Sequence, residues 1–441
     1  MADQPTASLG KSTDQLLRQC VECGLCLPHC ATYLATGNEV QSPRGRLILL
    51  GMVLENSSGT PFENGRPFFE AFDQCIGCRA CETACPSGVP FTLLEYGQKT
   101  AAAWFEHSGP SAEPVVPPWI LDRLDRPDFL AKLSHLGRFG KNLARILVGK
   151  NWRARLADGP AGRLARLVGS MPQSPGSDKT LIRLLDGLCQ AEKTRGALLP
   201  AAEATGPAVA FFRGCANAGL LDGTSRRLRD LLVAAGCRLE EPSGQTCCGA
   251  LASHAGRSRE SRAHFQELSN RESFTGAVKR GTTILAEAAG CGLHLKNYGE
   301  DFRAVAQDAV AFLAGLELPP LGRVPLRVAY HDPCHARHGQ SIVAEPRALM
   351  GAIPGVEIVE PTEPEVCCGS GGLWGLKYPE ISQELGLRKA RNLAATGADL
   401  VVTSNPGCLG QIADALEMVR PDLPILPLTD LLWYAAVRGQ G

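Results

Sequence analysis

Apolar residues fall at helical spacing in the first part of the chain and in short unbroken runs in the last part. The stretch SPRGRLILLGMVLEN, residues 42 to 56, opens with a candidate N-cap, Ser42, and a proline at the first helical position, Pro43, ahead of an apolar helix pattern. It predicts a helix there and a helical character for residues 31 to 74. In the second half, AVAFFRGC, TTILAEAAGC, LRVAYHDPC and ADLVVTSNPGC are β-like runs that each end at a cysteine. Helix-like segments lie between them, such as SRRLRDLLVAAG and ISQELGLRKARNLAATG, each closing at a glycine. Strands alternating with helices predict two parallel α/β units. Such folds place their sites at the carboxyl ends of strands, which is where these cysteines fall.

Residues 106 to 205 interrupt both patterns and read as a connector. SGPSAEPVVPPW, rich in Pro and Gly, marks the boundary. Residues 132 to 170 then carry nine Lys or Arg and one acid, Asp158, with Leu133, Leu136, Phe139, Leu143 and Leu147 at helical spacing. A basic amphipathic helix suits an anionic membrane surface or an acidic partner, and a solvated basic face over a packed core fits equally well. The expected organisation is therefore a helical domain over 1–105, the connector over 106–205, and two α/β units over 206–322 and 323–441. In class this is an α+β multidomain protein.

Composition narrows the setting. With 441 residues, 44% hydrophobic and 20% charged, the chain can bury sizeable cores in about three domains. Its formal net charge is zero and its pI near 7.1, so nothing global points to nucleic acid or to an acidic substrate. The N-terminus, MADQPTASLGKSTDQ, lacks a secretory pattern, and no stretch reaches the roughly 18 apolar residues of a bilayer span. The expectation is a cytoplasmic protein, able to lie peripherally at the inner face of the cell membrane. In that reducing compartment, clustered cysteines point to metal binding or catalysis.

The cysteines supply the chemistry. Cys20, Cys23, Cys26 and Cys30 follow C-x2-C-x2-C-x3-C spacing, and Cys75, Cys78, Cys81 and Cys85 repeat it with Pro86 behind the last. Short two-residue gaps let one tight loop reach several irons of a cubane, and the fourth cysteine of each run typically serves the other cluster. On that pattern Cys20, Cys23, Cys26 and Cys85 hold one [4Fe-4S] cluster, and Cys75, Cys78, Cys81 and Cys30 hold another. Zinc ordinarily asks for two C-x2-C pairs, or a Cys/His mixture, across a longer separation. The first run closes on Ala31 rather than proline, with Pro28 inside its loop. Arg44 and Arg46 read as solvated or cap-forming, with steering of an acidic partner as the functional alternative.

The second half repeats its own cysteines. Cys215, the pair Cys247 and Cys248, and Cys291 are echoed by Cys334, the pair Cys367 and Cys368, and Cys408. From first cysteine to pair the gaps are 32 and 33 positions (215 to 247, 334 to 367); from pair to last they are 43 and 40 (248 to 291, 368 to 408). Adjacent cysteines rarely point the same way in regular structure, so each Cys-Cys-Gly turn must be irregular, with Gly249 and Gly369 supplying the freedom. Each set of four suffices for a metal centre; an iron-sulfur centre, a redox-active thiol site and zinc all remain open. Cys189 and Cys237 match neither pattern and read as small buried hydrophobes. His254, His331, His335 and His338 lie near the proposed ligands, where neutral imidazole can ligate or relay a proton. Most should be structural, and His335, beside Cys334, is the best candidate for a redox role.

These motifs carry a family resemblance. The helical two-cluster module resembles that of succinate dehydrogenase iron-sulfur subunits. The CCG pairs with outlying cysteines resemble the cysteine-rich repeats of heterodisulfide reductase. That pattern ends each repeat in C-x2-C, whereas Ala288 and Asn405 stand at the earlier position here. The full order, with PRGR at 43–46, CETACPSGV at 81–89, AAGCGLHLKNYG at 288–299, CCGS at 367–370 and NPGC at 405–408, resembles the iron-sulfur subunits of glycolate oxidase across nearly the whole chain. The resemblance implies an electron-transfer subunit of a flavin-dependent 2-hydroxy-acid dehydrogenase, oxidising glycolate to glyoxylate and passing electrons toward a quinone or similar acceptor. No G-x-G-x-x-G opens a strand-helix unit, so FAD is expected only on partner subunits. The alternatives are a heterodisulfide-reductase-like thiol/disulfide enzyme and the iron-sulfur subunit of a glycerol-3-phosphate or lactate dehydrogenase.

Overall fold

The computed structural model describes residues 13–55, 65–108, 123, 126–133, 135–136, 178–190, 198–242, 245, 247–254, 258–269 and 272–440. The N-terminal domain is helical, as the apolar spacing predicts. Helix Pro43–Glu55 begins where the Ser42 hydroxyl accepts a hydrogen bond from the Gly45 N–H at 3.0 Å, with proline at its first position. It buries Leu47 and Leu50 in a core with Phe68 and Phe72 of helix Arg66–Asp73 and Leu93 and Leu94 of helix Thr92–Ser108. Phe72 lies so close to the last helix that a Cβ on Gly97 would sit 2.1 Å from its ring, so the packing requires glycine there.

Arg46 departs from the solvated reading. It is buried, donating to the Ala71 carbonyl at 2.6 Å, the Thr32 hydroxyl at 3.1 Å and the Cys30 sulfur at 3.9 Å. Helical phase puts it on the inner face of Pro43–Glu55, where acceptors compensate its burial. Arg44 stays near the surface, bonded to Glu39 and to the Glu22 carbonyl.

The two α/β units follow as predicted. Strands β1 (Ala208–Phe212), β2 (Arg238–Glu240), β3 (Thr283–Ala286) and β4 (Ala306–Asp308) form a parallel sheet in the order β2-β1-β3-β4. Strands β5 (Arg327–Tyr330), β6 (Glu357–Val359), β7 (Leu400–Thr403) and β8 (Ile425–Pro427) repeat that topology as β6-β5-β7-β8. In each, the chain leaves the central pair of strands in opposite directions, which makes the space beyond β1/β3 and β5/β7 a topological switch point. One continuous core joins the units: Val209, Phe211 and Leu285 of the first pack with Val328, Tyr330, Val402 and Trp433 of the second. Arg227 and Asp430, both fully buried, form an ion pair at 2.8 Å across this junction, with Trp433 under the guanidinium.

Parts of the stretch read as a connector belong to these cores. Leu181 and Leu185 of helix Asp178–Cys189 enter the shared core, and Leu130 packs against Cys215 and Cys247. Of the basic amphipathic segment, residues 137–170 lie outside the described residues. Cys237 is buried in the shared core and Cys189 packs at its margin, as expected of small hydrophobes.

The N-terminal domain rests on the second α/β unit. Ala31, Ile76, Cys78 and Ala80 share an apolar cluster with Cys367, Trp374 and Leu385. Around it, the Tyr378 hydroxyl donates to Asp73, which also pairs with Lys377. His338 donates through Nε2 to the Glu365 carbonyl at 2.9 Å, leaving Nδ1 to accept from the Thr83 hydroxyl at 2.7 Å.

Candidate metal centres and the shared cysteine cavity

The two cysteine runs adopt the same local geometry. In each, the residues two and four positions after the first cysteine are left-handed: Glu22 (φ 52°) and Gly24 (φ 78°) in one, Gly77 (φ 73°) and Arg79 (φ 63°) in the other. One glycine per loop takes half of this conformational demand, at opposite places. The eight cysteines line two neighbouring pockets. Cys20, Cys23, Cys26 and Cys85 line one together with Cys81; Cys30, Cys75, Cys78 and Cys81 line the other. Cys85 therefore sits with the first run and Cys30 with the second.

The surroundings suit iron-sulfur clusters. Burial pushes the Cys26 thiol up to about 11 and raises Cys75, Cys78 and Cys81 as well, so thiolates there call for a compensating cation. Backbone N–H groups point at the sulfurs: that of Val89 donates to Cys85 at 3.4 Å, and those of Arg44 and Gly77 reach Cys26 and Cys75. All eight are free thiols with no disulfide among them.

The eight cysteines of the two repeated sets meet at one place, with Cys237 apart from them in the core. Each first cysteine follows a central strand by three or four residues, Cys215 after β1 and Cys334 after β5; each last one follows the neighbouring strand, Cys291 after β3 and Cys408 after β7. The switch points of the two units face each other, and all eight cysteines line a single cavity of about 220 Å³. Ile76 of the N-terminal domain and Leu130 complete its apolar walls.

Within each unit the adjacent cysteines take different partners. Cys215 donates to Cys247 at 3.4 Å while Cys248 donates to Cys291 at 3.1 Å. In the second unit Cys367 lies 3.8 Å from Cys334, and Cys368 turns toward Cys408. Gly249 and Gly369 both sit at φ +83°, and their N–H groups turn back onto Cys247 at 3.3 Å and Cys367 at 3.5 Å. Hydrogen bonds from Cys215 and the Gly249 amide pull Cys247 below the ordinary thiol range; Cys248, donor to its neighbours and buried, is pushed up. The first unit thus favours one thiolate before any metal binds.

The histidines separate by environment. His335 lines the cavity, its ring 5.2 Å from that of His254 and hydrogen-bonded to the Gly77 backbone in the cysteine loop of the N-terminal domain. Burial pushes it down to about 3, so it is neutral there. His338 holds the domain junction. His331 is buried with Cys368 and Cys408. Asn405, at the place of the extra cysteine in the five-cysteine pattern, donates to Cys408 at 3.5 Å. Sequence spacing placed each cysteine set at the carboxyl ends of its own unit's strands but did not foresee that the two sets share one cavity, which depends on how the two sheets pack and carries no local signal.

Comparison with known proteins agrees with this geometry. A 4Fe-4S dicluster domain matches residues 16–89, and a cysteine-rich domain matches twice, at 209–296 and 328–413. The chain is 30% identical to the probable glycolate oxidase iron-sulfur subunit of Bacillus subtilis (strain 168), covering 95% of this chain and 94% of that one. It is 27% identical to the glycolate oxidase iron-sulfur subunit of Escherichia coli (strain K12), over 91% of each. One chain of the dihydromethanophenazine:CoB–CoM heterodisulfide reductase of Methanosarcina barkeri (strain Fusaro) is 24% identical over 94% of this chain and 93% of its own. With two neighbouring cysteine-lined pockets in its helical domain and paired CCG units behind them, the chain belongs to the family of glycolate oxidase iron-sulfur subunits.

Proposed function

We propose that the chain carries electrons within a complex whose FAD-bearing partner oxidises glycolate to glyoxylate, delivering them toward a quinone or similar acceptor at the inner face of the cell membrane. No described helix is long and apolar enough to cross a membrane, so contact with the bilayer is peripheral on this reading. The carrying observation is the contiguity of the thiol sets: Cys78 shares an apolar cluster with Cys367, and Ile76 walls the cavity of the α/β units. Cys20, Cys23, Cys26 and Cys85 are assigned to one [4Fe-4S] cluster, and Cys30, Cys75, Cys78 and Cys81 to the other. Bound there, the clusters supply one-electron carriers. The chain's own residues bury Cys30 and Cys78, donate N–H groups to the sulfurs of Cys26, Cys75 and Cys85, and, through Arg46, place a positive charge beside Cys30.

The cysteines of the CCG units, Cys215, Cys247, Cys248 and Cys291, and Cys334, Cys367, Cys368 and Cys408, are assigned to further metal centres on the cavity. Iron and acid-labile sulfide content, with EPR on the anaerobically purified and dithionite-reduced chain, tests the reading. About eight irons with interacting signals fit the N-terminal pair alone, and twelve or more extend the carriers into the CCG units. Near-zero iron overturns the proposal. Co-purification with an FAD-containing chain, and no glycolate oxidation by this chain alone, tests the division of labour. The close thiol pairs favour a second reading, reduction of a disulfide substrate at the cavity. That reading requires heterodisulfide reduction with an artificial donor, abolished by replacing Cys248 or Cys368.

A further inference from the structure

His331 is buried just beyond β5, and neither of its ring nitrogens has a hydrogen-bond partner among the described residues. Other histidines of the α/β units differ: His338 is bonded at both nitrogens, His294 at 3.1 Å to Ser261, and His335 to the Gly77 backbone. An unmet buried polar group costs about 1–3 kcal/mol, so such a ring is retained where something else meets it. What faces it is a pair of sulfurs. One ring nitrogen of His331 and the sulfurs of Cys368 and Cys408 lie within 4.8 Å of one another, all three residues buried.

We propose that His331, Cys368 and Cys408 hold one tetrahedral divalent metal ion of the zinc class, with the fourth position open to the cavity that Cys368 and Cys408 line. Mixed imidazole and thiolate donors select this class, and three protein ligands leave one position for water or substrate. Metal-ligand bonds of about 2.0–2.3 Å place donors about 3.3–3.8 Å apart, so modest side-chain adjustment closes the observed triangle on a single ion. A cubane would instead hold thiolates on different irons farther apart around its core. Asn405, donating to the Cys408 sulfur, supplies an outer hydrogen bond to a ligand. The site belongs to the second unit alone. Three residues before the first cysteine, where the second unit has His331, the first has Phe212, whose ring packs edge-on against Phe274.

This rests on the reading of the second CCG unit as metal-bearing, and it changes that unit's ligand set. The test is zinc and iron content of the full chain purified anaerobically, with zinc K-edge absorption. The expected result is about one zinc per chain with a nitrogen shell, falling below about a tenth in His331→Phe and Cys408→Ser while N-terminal iron stays unchanged as the folding control. Should His331→Phe lose iron as well, His331→Cys decides: zinc kept with the nitrogen shell gone supports the site, and an unchanged nitrogen shell overturns it. Zinc-free wild-type chain, or zinc that survives His331→Phe, overturns it too. A chain with zinc but no iron would leave this site standing while sinking the electron-carrying role.

Discussion

At the scale of single residues, Arg46 shows how a charge acquires a role that composition hides. The same PRGR stretch gives Arg44 to the surface and Arg46 to the interior, because successive helical positions differ by about 100° around the axis. Buried behind Cys30 and Cys75, the guanidinium favours whichever state of the adjacent centre is more negative, which is the reduced one. Arg46→Met should therefore lower the midpoint potential of one N-terminal cluster by on the order of 50 mV, close to a tenfold shift in a one-electron equilibrium. An EPR-monitored redox titration reads this directly, and the other cluster serves as internal reference. Equal midpoints in variant and wild type would mean that Arg46 only braces the Ala71 carbonyl and the Thr32 hydroxyl.

At the scale of elements, what was legible followed from local rules. Strands ending at cysteines, helices closing at glycines and the Ser42-Pro43 helix start all rest on nearest-neighbour chemistry, and each formed where its residues predict. The left-handed backbone at Glu22 and Arg79 was not legible, since neither residue type favours that conformation. It belongs to tight cysteine loops in which neighbouring backbone turns onto sulfur, as the Gly77 N–H does onto Cys75. Glycine at the Cys-Cys-Gly turn was legible, and its replacement makes a sharp prediction. A Cβ on Gly369 would meet the Leu385 Cβ at 2.7 Å and the Ser382 carbonyl at 2.8 Å, on top of positive φ. Gly37, also left-handed at φ +66° but with nothing within 4 Å, isolates the backbone term. Gly37→Ala should cost about 1–2 kcal/mol, and Gly369→Ala at least twice that, with the metal of the second unit lost. Thermal unfolding and metal content of the two variants check it; equal effects would show that the overlap at Gly369 relaxes without cost.

At the scale of the whole molecule, the arrangement depends on contacts among residues hundreds of positions apart, which no periodicity records. The common cavity exists because two similar sheets bury one core between them, and because Leu130, from a stretch with no clear pattern, closes a wall. Contacts between the N-terminal domain and this body include the Cys78, Cys367 and Trp374 cluster, the Thr83 to His338 bond, Asp73 with Tyr378 and Lys377, and the His335 bond to the Gly77 backbone. These contacts cover Cys78, leaving it 8% exposed, whereas Cys23 of the other set is exposed. Two hydrogen bonds of this kind contribute about 1–3 kcal/mol together, so removing both raises the undocked fraction by about tenfold or more. In the double variant Thr83→Val, Tyr378→Phe, a ferrous chelator should then extract iron from the Cys75, Cys78 and Cys81 centre about tenfold faster. Release from the Cys20, Cys23 and Cys26 centre, whose pocket lies away from the junction, should keep its rate. Two resolved phases with only one accelerated is the expected trace. If both accelerate together, the domain as a whole has loosened; if neither does, the two bonds contribute nothing to shielding Cys78, and the two bodies are held by contacts other than these.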